Sequence, residues 1–255
     1  MCLSTDANMD NLSIAAVSGL RSRMVSLDLL ANNLANAGTS GYKNDREFYG
    51  VYASEDAQNS VDGASGATLP VVETQWTDFS AGEMQVTGNA LDVAIVGKGF
   101  FTVTGPKGPL YTRNGNLRIL PTGELANADG YPLLSTGGGT IQVRPNAQIS
   151  IASDGTVAQG GQSLGQIGVV NFKSTDSLRK IGSTSFENQS TTNLPSPATN
   201  MEVQQGKLEG SNVSVPDAAM RLVSVMRQFE MLQKAIGVST DMDTKAIQEV
   251  ARVSA

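Results

Sequence analysis

Any catalysis in this chain has to rest on carboxylates, hydroxyls or lysines, because its 255 residues include no histidine and one cysteine, Cys2. Zinc, haem, iron–sulfur and Cys–His nucleophile chemistry therefore lack their ligands or their base, and neither a metal site nor a cofactor is expected. Two spots imitate chemistry. Asp92 stands between Leu91 and Val93, where a buried general acid or base could sit. No second carboxylate accompanies it in a recognisable pattern, so a hydrogen bond to a turn is the better reading. Gly97 and Gly99 look like half of a nucleotide loop. Phe100 to Val103 reads as a strand where a phosphate loop needs a helix, so the glycines mark a strand bend. A net charge of -6 without a basic cluster argues against nucleic acid as a partner.

The elements around these residues are more telling. From Val17 the apolar positions run Val17, Leu20, Met24, Leu27, Ala31, Leu34, and toward the other end Leu222, Val225, Phe229, Leu232, Ile236 repeat the alternation of three and four. That is the seam of a coiled coil, carried by helices at about 11–36 and 216–253. Each side chain contributes about 1.5–3 kcal/mol if fully buried. Each helix therefore needs a partner, either the other helix or the same helices of neighbouring copies. An ordinary intramolecular core would also fit the stripes. Both ends are expected to be disordered in the free monomer and to order on assembly. Ser214 is a candidate cap, Pro216 suits the first turn, and Asp217 suits the positive end of the dipole.

Between the helices the sequence reads as β structure. Leu91–Val96 and Gly99–Thr104 are strand candidates. Asn114-Gly115 is a two-residue hairpin signal between Tyr111–Arg113 and Leu117–Leu120. Pro121-Thr122-Gly123, Asp129-Gly130 and Asp154-Gly155 mark further turns, with Ile149, Ile151 and Val157 on one buried face. Ala53–Thr68 has no periodicity and reads as a mobile loop. The fold class is α+β, a central all-β domain at 81–199 flanked by terminal helices that pair as a coiled-coil-like domain, 9–37 with 216–253. Segments 38–80 and 200–215 connect them, and 1–8 is a flexible extension, with Met9 an alternative start. No signal peptide and no membrane insertion are expected, since Asp6 and Asp10 precede any basic residue and no long apolar run follows. Charged residues make up 16% against the usual ~25%, so copies repel one another weakly.

Particular strings resemble a family. Ala31–Asn36 continued by Thr39–Lys43, Leu91–Ile95 with Gly97–Phe101, Tyr111–Gly115, and Leu208–Val213 are similar to motifs of the bacterial flagellar rod and hook proteins, in the same order. The motif positions are Asn32, Asn33, Asn36, Gly41, Asp92, Gly97, Gly99, Arg113, Asn114, Gly115, Glu209, Ser211 and Asn212. Leu208–Val213 and Arg227–Met231 look more like the F-type proximal rod branch than the distal rod branch. The resemblance implies a structural subunit of the basal-body rod, without catalysis or a small-molecule ligand. It also implies assembly in the periplasm with other rod proteins and its own copies, and export by the flagellar type III apparatus, with a chaperone as a further partner. The asparagines lower helix propensity, so they either end the helix or bond between subunits. A distal rod or hook-type protein is the nearest alternative. A secreted binding module or a carboxylate-based carbohydrate enzyme would explain the β region but neither helical stripe.

Overall fold

The computed structural model describes residues 5–53, 68–144 and 147–253. Two long helices bracket a series of short strands, an α+β arrangement. Helix α1 spans Thr5–Ala35 and helix α2 spans Val215–Val253. α2 starts beside the Ser214-Pro216-Asp217 signal. α1 begins well before residue 11, because nothing from Thr5 to Ser18 is a glycine or proline that would stop a helix from propagating. The 1–8 extension is thus divided, with 1–4 outside the described residues and 5–8 in α1. The core of the expected mobile loop, 54–67, also lies outside the described residues.

The chain forms two compact units, one of residues 1–34, 45–76 and 214–255 and the other of 35–44 and 77–213. Besides both helices, the first unit holds strands Asp45–Ala53 and Thr68–Thr77, paired as a two-stranded sheet. The region 38–80 was expected only to connect. Its strand signal is Phe48-Tyr49-Gly50-Val51-Tyr52 and the alternation Val72-Glu73-Thr74-Gln75-Trp76.

The second unit is all-β. Its six-stranded sheet runs Leu178–Ile181, Ser185–Asn188, Gly108–Thr112, Phe100–Gly105, Val169–Asn171, Ser196–Pro197. Successive strand residues face opposite ways, and both faces are covered. Phe101 enters an aliphatic core with Val93, Ile95, Leu125, Leu133 and Ile167. Phe100 enters an aromatic one with Tyr111, Phe172 and Phe186, where Tyr111 and Phe172 meet edge-on at 4.8 Å. The Asp154-Gly155 hairpin forms as read, with Val157 opposite Ile151 and both buried.

Asn114-Gly115 is not a hairpin turn. Gly108–Thr112 pairs with Phe100–Gly105, whereas Leu117–Ile119 pairs with Leu125–Asn127 in another sheet. The chain crosses over Val93 here, and Gly115 is needed because a Cβ would lie 1.7 Å from the Val93 carbonyl oxygen. Segment 200–215 is more than a connector. Met201–Gln205 pairs with Val93–Gly97, and Lys207–Glu209 with Met84–Val86. Its turn-like composition hid two short strands whose partners lie over a hundred positions away.

Candidate functional site

The motif strings converge on one buried polar cluster. Glu209, at the end of a strand and 1% exposed, accepts hydrogen bonds from Lys43 Nζ at 2.5 Å and Arg113 Nη1 at 3.2 Å. The Gly82 amide donates to the same carboxylate at 3.1 Å. Lys43 Nζ also donates to the Ser80 carbonyl, and Arg113 Nη2 to the Gly97 carbonyl, each at 2.7 Å. A buried charge is tolerable only when its hydrogen bonds are made. Burial is the main influence on Lys43 and pulls its pKa below 10.5 against the opposing pull of Glu209. Arg113 is shifted the same way for the same reason.

Backbone closeness completes the cluster. The Gly41 amide donates to the Glu209 carbonyl at 2.7 Å. Gly41 sits at φ 71°, where a Cβ would come within 2.3 Å of the Asn114 amide nitrogen. Asn212 accepts from the Asn44 amide at 2.7 Å and donates to the Asp78 carbonyl at 2.8 Å. Asn114 Oδ1 accepts from the Asn116 amide, and Ser211 Oγ from the Val213 amide. Asp92 accepts from the side-chain amides of Asn89 and Asn116, both at 3.2 Å. Gly97 and Gly99 adopt φ 104° and 148° at the bend before strand Phe100–Gly105. Asn36 accepts from the Thr39 amide and hydroxyl just beyond α1. Asn33 bonds both backbone groups of Asp45, at 2.8 and 3.0 Å, while Asn32 is exposed.

Lys43, Gly82 and Ser80 were not singled out from the sequence as site residues. The available signal was an isolated lysine in the otherwise uncharged Gly41–Asn44 stretch and an isolated glutamate in Leu208-Glu209-Gly210.

The helices divide their faces unexpectedly. α1 buries Gly19, Ser22, Ser26, Leu30 and Asn33. At 100° per residue this small and polar face lies about a third of a turn from the apolar stripe. Along that stripe Val17, Met24 and Ala31 are exposed and Leu20, Leu27 and Leu34 half-buried. On α2, Leu222, Val225, Phe229, Leu232 and Ile236 are all half-buried. A Cβ on Gly19 would lie 3.5 Å from Leu232 Cδ1, so the two helices touch there. A second apolar face on α2, with Met220, Val223, Met231, Val238 and Met242, stays exposed. Among the described residues no group of acidic, cysteine or histidine side chains could hold a metal ion, and no helix is long and apolar enough to cross a membrane.

Three stretches match family descriptions: 15–43 "Flagella basal body rod protein", 94–159 "Flagellar hook protein FlgE/F/G D1 domain", and 204–249 "Flagellar basal body rod FlgEFG protein C-terminal". Lys43, Arg113 and Glu209 come one from each. The chain is 31% identical to the flagellar basal-body rod protein FlgF of Caulobacter vibrioides over 96% of its length and 100% of the relative's. It is 34% identical to FlgG of Bacillus subtilis over 89% of this chain and 94% of that one. Against FlgG of Agrobacterium fabrum the figures are 31%, 92% and 97%. With Lys43, Arg113 and Glu209 meeting in one buried cluster and a rod protein matched at 31% identity over 96% of this sequence, the chain belongs to the flagellar basal-body rod protein family, whose members are structural proteins of the basal body and not enzymes.

Proposed function

We propose that this chain is a proximal-rod subunit of the F type. It stacks helically with its own copies and other rod proteins in the periplasm, after export through the flagellar type III apparatus. The terminal helices pair as a coiled-coil-like domain and carry torque from motor to hook. The observation that carries this reading is the outward apolar stripe of α1, with Val17 and Met24 more than half exposed. A subunit that stays single has no reason to bury serines while leaving methionine and valine in water. Contacts that are heterologous, joining different patches on successive copies, extend naturally into tubes. The Leu208–Val213 and Arg227–Met231 strings favour the proximal branch over the distal one.

The test is deletion of the gene in its host, with electron microscopy of isolated hook–basal bodies and complementation by an epitope-tagged gene. Loss of hook and filament above a retained membrane ring, rescue by the full gene but not by one lacking residues 219–255, and immunolabel at the membrane-proximal end of the rod are expected. Label at the hook-proximal end would reassign the chain to the distal branch. Normal filaments in the deletion strain would overturn the rod role.

A further inference from the structure

Both helices present an exposed edge at heptad spacing beyond the contact they make with each other. On α1 it is Val17, Arg21, Met24, Asp28 and Ala31; on α2 it is Met220, Ser224, Arg227, Met231, Lys234 and Val238, all exposed. Around Met220, Arg227 and Met231 the surface of α2 leaves an open groove of about 550 Å³, into which side chains of a facing helix can pack.

We propose that this groove receives α1 of a second copy, antiparallel, with Asp28 opposite Arg227. The inference rests on the rod reading and adds a face of α2 distinct from the Leu222–Ile236 stripe. The occupant and its direction follow from pattern and charge. Within one chain, Asn44 and Asn212 are hydrogen-bonded and Gly19 lies against Leu232. The segments that follow α1 and precede α2 thus start side by side, and the helices run antiparallel. Copies related by rotation and rise about one axis keep their axial direction, so the next copy's α1 is also antiparallel to this α2. Placing Asp28 level with Arg227 then sets Met24 on Met231, Val17 on Val238 and Ala31 on Ser224. Apolar groups meet apolar ones, and the two small residues allow close approach. Arg21 comes level with Lys234, one turn from Glu230, whose carboxylate offsets that like-charge pair.

Asp28→Arg and Arg227→Asp, each introduced at the chromosomal locus, are expected to reduce swimming at least about tenfold through like-charge juxtaposition. The double variant is expected to restore it. In a Cys2→Ser background, Met24→Cys with Met231→Cys should give a ladder of oxidised products at multiples of the chain mass, starting at twice that mass, in isolated basal bodies. Single variants that swim normally, a double variant that stays immotile while folded by circular dichroism, or a disulfide confined to one chain would each overturn the pairing while leaving the rod role intact. A product with a different protein would overturn the second copy as the occupant. Filaments in the deletion strain itself would instead remove the reading on which the pairing rests.

Discussion

Lys43 and Glu209 lie 166 positions apart and meet as a fully buried ion pair at 2.5 Å, with Arg113 on the other carboxylate oxygen. Two cations share one anion, so the partners are not equivalent. Glu209→Gln leaves both cations buried without a counter-charge and is expected to cost about 3–5 kcal/mol. Lys43→Met leaves Arg113 and Glu209 as a matched pair and should cost markedly less. Urea denaturation of the two purified variants checks the order; equal losses would mean that Lys43 is the indispensable cation.

The same lysine gives the chain a pH signature. Its folded pKa lies below 10.5 because burial disfavours the charge. Between the folded value and 10.5 the unfolded chain therefore holds more protons, and this group makes stability rise with pH. Tyr111, raised above 10.0 by burial, acts in the opposite sense as pH rises through 10.0. Lys43→Met removes only the rising component, so its stability should fall more steeply than that of the natural chain as pH rises toward and through 10.5. Urea midpoints across that range decide the matter, and parallel curves would show that Lys43 does not titrate there.

Two glycines are held by close contact. Gly115→Ala and Gly41→Ala each drive a methyl into backbone, 1.7 Å from the Val93 oxygen and 2.3 Å from the Asn114 nitrogen. Each should cost at least about 1–3 kcal/mol. Gly88→Ala is the control for Gly41, since Gly88 shares its φ of 71° and has nothing within 4 Å of a new Cβ. It isolates the backbone strain of about 1–2 kcal/mol, and thermal melts of the three variants separate the two contributions.

Hydrogen exchange should differ sharply between the units. α2 has exposed or half-buried side chains along nearly all of its described length, so it opens locally at low cost. Its amides should exchange much faster in a dilute monomer than those of Phe100–Gly105, whose Phe100, Phe101 and Val103 are buried, and should gain protection on assembly. Equal protection in the monomer would show that α2 is already held.

The parts of this architecture that local chemistry decides were legible in the sequence. α2 opens beside its Pro216-Asp217 signal, and the Asp154-Gly155 hairpin has one buried face. What distant contacts decide was hidden. Asn114-Gly115 carries the local signature of a tight hairpin, but its flanking strands are claimed by different sheets, and the glycine serves the approach to Val93. Lys43, Arg113 and Glu209 all lie in strings that stood out by resemblance, yet nothing in the sequence joined them into one cluster, because pairing over 166 positions leaves no periodic trace. On α1 the apolar stripe was visible, whereas burial of the Ser22 and Ser26 face depends on what packs against it.

The Asp78 carbonyl and the Asn212 side-chain amide lie 2.8 Å apart across 134 positions. The stretch between them, all of it in the second unit, is therefore a closed detour that leaves and rejoins the chain at nearly one point. Such a cassette can be lengthened, shortened or exchanged for another without moving the two ends that hold it. Recombination at that single pair of joints exchanges the β scaffold of the second unit as one block.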